Sequence, residues 1–430
     1  MFVVTSAASA RFTPARHRLA LRHTGPVARA VAGLLLGASL LGVSPAATAQ
    51  AAKPGFNPEI SLILSGGYLN SRHDTATYSI RNIALPPDAE VGPGSRGLAI
   101  GESELGLTAN IDPWTRGVFN LALGGDDSLG VEEAYVQSTA LSNGLTLKVG
   151  RHLSGIGYLN EQHAHTWDFV DAPLAYQALL GGAFGDDGLQ LRWIAPTALF
   201  VELGAEVGQG RNYPGSDGSR NGAGASALFA HVGGDIGSSQ SWRAGLSLLS
   251  TRARDQELAA FDSSDAAVTN SFTGTSRITV LDFVWKWAPE GNATRRSFKL
   301  QGEWLTSRRR GELTYDTAGV ATADNYSARA KGGYLQAVWG FAPGWRAGLR
   351  QDRVDPGTPD YASNAAALAL PAERASKTSL MVDWSPSEFS RLRLQVANDK
   401  SGRYDGVRAD NRVWMLQYQV ALGAHGAHGY

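Results

Sequence analysis

The chain has no cysteine among its 430 residues, which excludes disulfide staples and thiolate metal sites alike. It also lacks a surplus of positive charge. With 39 basic residues against 39 acidic ones, the electrostatic footprint of a nucleic-acid binder is absent, and no nucleic-acid partner is expected. Beyond the first fifty residues, no apolar run approaches the roughly 18 residues that a membrane-crossing helix requires. Neither a GxSxG elbow nor a phosphate-cradling GxxxxGK[ST] loop occurs. His163 or His165 with Ser154 is the nearest approach to a base and nucleophile, and nothing in the sequence orients such a pair, so no catalytic residue and no enzyme activity is expected.

What is present begins with Arg11, Arg16, Arg18, Arg22 and Arg29, then the apolar run AVAGLLLGASLLGV from Ala30 to Val43, then Ala47-Thr48-Ala49. A charged region, a hydrophobic region and a small-residue cleavage site, in that order, read as a secretory signal over residues 1–49. Residues 50–56 would then be a short periplasmic N-terminal segment. Removing five arginines and no acid leaves 34 basic against 39 acidic residues, a mildly acidic exported chain.

From about Ile60 onward, short segments alternate apolar and polar residues with period two, which puts every second side chain on one face of a strand. LFVELGAEV sets Leu199, Val201, Leu203, Ala205 and Val207 opposite Glu202, Gly204 and Glu206. SFKLQGEWL and RLRLQVAN repeat the pattern, with Phe298, Leu300 and Trp304 against Lys299, Gln301 and Glu303, and Leu392, Leu394 and Val396 against Arg391, Arg393 and Gln395. Many segments end in an aromatic and a proline, as in Trp193-Ile194-Ala195-Pro196, Trp287-Ala288-Pro289, Phe341-Ala342-Pro343 and Trp384-Ser385-Pro386. Proline cannot donate to a sheet ladder, so each mark closes a strand and opens a turn.

Sixteen strands are expected between residues 57 and 422, an even number. Short connections fall near 112, 142, 197, 238, 291, 343 and 387. Mostly long polar ones fall at 70–97, 153–187, 209–223, 252–275, 307–328, 354–376 and 399–409. Short turns at one end, long loops at the other and strands near ten residues predict an all-β fold, a transmembrane antiparallel β-barrel over residues 57–430 with short periplasmic turns and long external loops. In lipid every backbone polar group must be paired internally, so a spanning sheet has to close on itself. Trp193, Trp287, Phe341, Trp345 and Trp384 would form the interfacial girdle at the short-turn end. The alternative is a secreted soluble propeller or solenoid in which those aromatics are core.

In count, strand order and loop lengths the chain resembles the sixteen-stranded outer-membrane porins, over nearly all of its exported length. The resemblance implies location in the cell outer membrane, passive diffusion of small polar or charged solutes or ions, contact with lipid and lipopolysaccharide, and possible assembly as a homotrimer. It also implies that the third external loop, 153–187, folds into the lumen as a constriction. Glu161, His163, His165, Asp168 and Asp171 would then lie near the narrowest point. Lys299, Arg346, Arg350, Arg391 and Arg393 would form a basic wall opposite, with Glu202 and Glu206 contributed by an earlier strand. Such a juxtaposition predicts a transverse field acting on passing solutes; a merely solvated polar lumen is the bland alternative.

His163 and His165, with His152 close in sequence, could instead hold zinc or copper, since neutral imidazole suits both and carboxylates could complete the shell. No other cofactor is expected. His425 and His428, near the C-terminus, would lie at the opposite end of the barrel. FNPEISLILSG, GIGYLNEQHAHTWDFVDAPL and LGAHGAHGY resemble segments of uncharacterised proteobacterial exported proteins described as zinc-regulated or TonB-dependent outer-membrane receptors. That resemblance implies a metal-related uptake channel or receptor. A third expectation is a plugged barrel with a structural or adhesive role.

Smaller features complete the reading. Arg308-Arg309-Arg310 would top a strand externally, where guanidinium forks could meet glycolipid phosphates. Gly124-Gly125-Asp126-Asp127, Gly185-Asp186-Asp187-Gly188 and Gly215-Ser216-Asp217-Gly218 have the composition of calcium loops and equally of ordinary turns. Tyr430 resembles the terminal aromatic by which barrel-insertion machinery recognises its clients.

Overall fold

A computed structural model describes residues 58–423, apart from 90, 126, 127, 217, 219 and 220. The signal at 1–49, the segment 50–56, His425, His428, Tyr430, Asp126, Asp127 and Asp217 lie outside the described residues. Sixteen antiparallel strands form one closed barrel. They are β1 (Glu59–Asn70), β2 (Gly97–Ile100 continued by Ser103–Asp112), β3 (Thr115–Leu123), β4 (Leu129–Ser138), β5 (Leu145–Leu153), β6 (Gly185–Ile194), β7 (Phe200–Gly208) and β8 (Ala225–Ile236). The second half holds β9 (Gln240–Phe261), β10 (Ala267–Trp287), β11 (Ser297–Tyr315), β12 (Thr322–Ala342), β13 (Trp345–Asp355), β14 (Ala375–Ser387), β15 (Ser390–Asp399) and β16 (Asn411–Gly423). Each strand pairs with its sequence neighbours. The seam is β1 against β16, from Ser61 opposite Gly423 to Asn70 opposite Trp414.

The two faces of the sheet are the inverse of a soluble protein's. Outward side chains such as Leu203, Leu228, Leu246, Leu281, Leu335, Leu349, Leu380 and Leu394 are exposed, while Glu202, Ser247, Gln301, Glu303, Gln336, Asp352 and Arg393 on the inner face are buried. A continuous apolar band that size is unfavourable in water and is what hydrocarbon requires. Trp339, Phe341, Trp345 and Trp384 stand exposed at the short-turn end, with Trp345 and Trp384 stacked at 5.8 Å, and Tyr68, Trp304 and Trp414 are exposed nearer the other end. The period-two assignment of faces therefore holds in space, and a propeller or solenoid with those aromatics as core is set aside. The barrel also departs from TonB-dependent receptors, whose cylinders have about 22 strands around a separate plug.

Two of the expected long loops are strand instead. Residues 252–275 and 307–328 extend β9 to β12 to 22, 21, 19 and 21 residues, joined by the short turns 262–266 and 316–321. A bulge is the reason the sequence misleads. Between Ala253 and Gln256 the register of β9 shifts at Asp255, which has φ +49°, so the alternation restarts one residue late. Ala253, Leu258, Phe272 and Leu313 make a small apolar cluster inside this extension. Arg309 does not offer its charge to glycolipid. Its side chain points inward, donates to Gln256 Oε1 at 2.6 Å and lies 4.2 Å over the Phe272 ring, whereas Arg308 and Arg310 face out. Nor is Gly185–Gly188 an ion loop: Asp187 pairs with Arg151 at 2.7 Å and Asp186 accepts from the Gly210 amide at 2.6 Å, both within or beside β6.

Candidate pore constriction

The 153–187 connection turns into the barrel and is held there by side chains of the wall. It leaves β5 at Leu153 and first meets β7, where Glu206 accepts from the Ser154 hydroxyl and from the Gly155 amide at 2.8 Å. Gly157 then adopts φ +69°, and its amide donates to Ser247 Oγ at 3.0 Å. Immediately after it, the carboxylate of Glu303 on β11 accepts from the amides of Tyr158 (3.2 Å) and Leu159 (2.9 Å) and from the hydroxyls of Tyr176 (2.8 Å) and Tyr334 (2.7 Å). A buried carboxylate is tolerated when all of its lone pairs are used, as here.

The loop has its own interior. Ile156, Leu159, Leu174, Tyr176, Leu179, Leu180 and Phe184 pack with Val280, Leu305 and Tyr334 of the wall. A short helix, α1 (Leu174–Leu180), follows Pro173, ends at Gly181 with φ +72° and is buried along its whole length. Asn160 ties the two limbs together: its amide group donates to the carbonyls of Ser154 (2.8 Å) and Phe184 (2.7 Å), and its oxygen accepts from the Phe184 amide (2.8 Å).

Beyond the apolar part, the acids expected at the narrowing meet the basic wall directly. Asp168 pairs with Lys299 and with Arg346 at 3.0 Å and accepts from Gln336 at 2.9 Å. Asp171 pairs with Lys377 at 2.6 Å and Arg350 at 2.8 Å and accepts from Gln395 at 2.8 Å. Burial pushes both loop carboxyls up, yet the cations outweigh it and hold them well below the ordinary carboxylate range. Arg391 and Arg393 donate to the backbone of the loop, Arg393 to the Trp167 carbonyl at 2.6 Å and Arg391 to the His165 carbonyl. Acid and base are thus in contact, and the expected field across an open gap is largely closed into ion pairs. The pairs are unequally exposed, however. The Asp168 side chain is 4% exposed, against 23% for Lys299 and 32% for Arg346. Arg243, Lys286 and Arg391 on the same wall are also partly open.

On the opposite wall Glu161 pairs with Arg192, which also reaches Glu202 at 3.4 Å. Glu202 and Glu206 therefore serve as partners of Arg192 and of the loop. His163 sits between two carboxylates, Nδ1 at 2.8 Å from Glu132 and Nε2 at 3.0 Å from Glu133. Burial lowers its pKa, but those two hydrogen bonds more than reverse the effect and raise it to about 11, so both ring nitrogens carry protons at neutral pH. His165 lies beside it, the rings 5.8 Å apart, with Nδ1 at 2.9 Å from Glu104. His152 lies on β5, hydrogen-bonded to the Gly150 carbonyl at 3.1 Å, in a small cavity with Ser154, Phe184, Asp186 and Glu206. Among the described residues, the group whose ligand atoms converge is Glu104, Glu132 and His163.

Glu132, Glu133 and Glu303 are the residues that sequence reading missed. Val131-Glu132-Glu133 places two acids in succession on an alternating strand, and the register shift that leaves Glu132 unpaired between Leu121 and Asn120 turns both into the lumen. That doublet is the signal that could have found them.

An uncharacterised protein of Aquifex aeolicus is 28% identical to this chain over 397 residues, 87% of this chain and 80% of that protein. No family model matches. Among solved structures, in-vitro folded OmpT, an outer membrane protein of Vibrio cholerae, aligns with a TM-score of 0.53 at 10% identity, covering 86% of this chain and 99% of that one. A trimer form of the same protein aligns at 0.52 and 10%, over 85% and 99%. OprB of Pseudomonas putida aligns at 0.50 and 15%, over 86% and 94%. The fold is that of the sixteen-stranded outer-membrane barrels.

Proposed function

We propose that the chain is an outer-membrane channel for passive passage of small solutes, anions in preference to cations, with the 153–187 loop as its constriction. The observation that carries the reading is the unequal exposure within the lumenal ion pairs. On the wall that faces Asp168, the carboxylates of Asp168, Asp282 and Asp383 are buried, whereas Lys299, Arg346, Arg243 and Lys286 keep part of their charge open to water. In a low-dielectric cylinder such exposed charge sets the local potential and hence the favoured sign of ion. Assembly as a homotrimer belongs to the same reading, since an apolar outer wall serves lipid and a neighbouring barrel equally well.

Planar-bilayer recording on the purified protein tests it. Discrete current steps, with reversal potentials in a KCl gradient displaced toward the chloride potential, are expected. Stable insertion with no current would replace this reading with a plugged structural barrel.

A further inference from the structure

The loop does more than lean on the wall at His163. Its Nδ1 is 2.8 Å from Glu132 Oε2 and 3.4 Å from Glu104 Oε2, and the three ligand atoms all lie within 4.8 Å of one another. Around a tetrahedral zinc with bonds of about 2.0–2.2 Å, ligand atoms stand roughly 3.3–3.6 Å apart, so small side-chain adjustments reach that geometry. Two further observations point to a cation. Glu104 is 7% exposed, and both imidazoles converge on its Oε2, His165 Nδ1 at 2.9 Å and His163 Nδ1 at 3.4 Å. In addition, Glu133 accepts from His163 Nε2 at 3.0 Å while its other oxygen is fixed by the Leu153 amide at 3.1 Å. A carboxylate holding the far nitrogen of an imidazole is the support that metal-ligating histidines commonly have.

We infer that Glu104, Glu132 and His163 bind one divalent transition-metal cation of the zinc class, with His165 beside Glu104 as a fourth donor. Mixed nitrogen and oxygen donors suit such an ion better than calcium or magnesium, which take oxygen shells. On binding, the metal takes the Nδ1 lone pair of His163 and the proton there is released to solvent. Glu133 is a positioning residue that keeps the ring turned toward the ion. Because Glu104 belongs to β2, Glu132 to β4 and His163 to the loop, the ion would pin the loop to that wall. The inference does not depend on whether the barrel conducts.

The test uses the whole detergent-solubilised protein with His425 and His428 changed to alanine, so that the C-terminal histidines cannot contribute. Equilibrium dialysis against Zn²⁺, with Mg²⁺ and Ca²⁺ as controls, is expected to give one zinc per chain, and X-ray absorption a nitrogen/oxygen shell. The Glu104→Gln/Glu132→Gln variant should abolish binding and Glu133→Gln should weaken it 10- to 100-fold, in barrels whose folding is verified by heat-dependent gel mobility. Absence of bound zinc, equal uptake of Mg²⁺ or Ca²⁺, or undiminished affinity in the double variant overturns the site. Should the double variant not fold, His163→Ala and Glu133→Gln decide: unchanged zinc affinity in both overturns it. The dialysis reads occupancy without current, so failure of the channel reading and failure of this one are separable.

Discussion

Gly157 lies so close to Glu303 that a β-carbon on it would stand 2.3 Å from Oε2 of that carboxylate. With φ at +69° as well, the position rejects any side chain on two independent grounds, and non-glycine residues held in such backbone cost on the order of 1–3 kcal/mol before the clash is counted. Gly157→Ala should therefore loosen the loop from β11 while leaving the sheet intact. The expected readout is larger single-channel conductance and new protease cleavage within 153–187, with unchanged far-ultraviolet circular dichroism.

Asp171 joins two buried cations, and removing one member of such a cluster leaves the others uncompensated. Asp171→Asn is expected to destabilise loop docking by about 3–5 kcal/mol. Combining it with Lys377→Met should restore part of that loss, because the stranded charge goes too. A double-mutant cycle on thermal unfolding measures the coupling; additive losses would contradict the pairing.

The pH dependence follows from the same acids. Asp168 and Asp171 are held well below the ordinary carboxylate range by Lys299 with Arg346 and by Lys377 with Arg350, against the opposing effect of burial. A carboxyl with a depressed folded-state pKa gives stability that is complete above its free value, near 4, and is lost as pH falls through the folded one. Protection of the 153–187 loop from added protease should thus be flat from about pH 8 to 5 and be lost only under strongly acid conditions, below about pH 3. A step between pH 7 and 5 would show that these two acids are not what holds the loop.

Lys286 is the cleanest probe of selectivity, because it is partly exposed and makes a ring contact with Tyr158, at 5.8 Å. Lys286→Glu should move reversal potentials toward the cation side without altering the melting transition. Unshifted potentials would mean that solutes do not pass that wall.

Leu335 points outward from β12 and is 58% exposed. Leu335→Arg is expected to cost about 2–4 kcal/mol of stability in lipid bilayers if it lies near the midplane, and much less in detergent with a loose belt. Equal stability in both media would argue that this face does not meet hydrocarbon.

Much of this architecture was legible in the chain, because period two is a property of single strands and needs no knowledge of neighbours. Leu203 against Glu202, or Leu394 against Arg393, declares its face locally, and the inward fold of 153–187 follows from loop position in the porin resemblance. What stayed hidden depends on pairing. The bulges that reset β9 at Asp255 and turn Glu132 inward are relations between two strands, invisible to a count along one. Likewise Glu303 reads as one more polar residue on an alternating strand until Tyr158, Leu159, Tyr176 and Tyr334 are gathered around it. His152 lies close to His163 in sequence, yet its ring turns to the Gly150 carbonyl and a cavity beside Glu206, an orientation set by the strand and not readable from spacing.

The anchors of the loop come from far apart in the chain: Glu132 and Glu133 lie on β4, Arg391 and Arg393 on β15, and the two groups stand on either side of the β1–β16 seam. During biogenesis, then, the inserted segment can find all of its partners only after the last strand has been delivered and the cylinder has zipped shut. The loop's full set of contacts is thus a property of the closed cylinder and of no smaller part of the sheet.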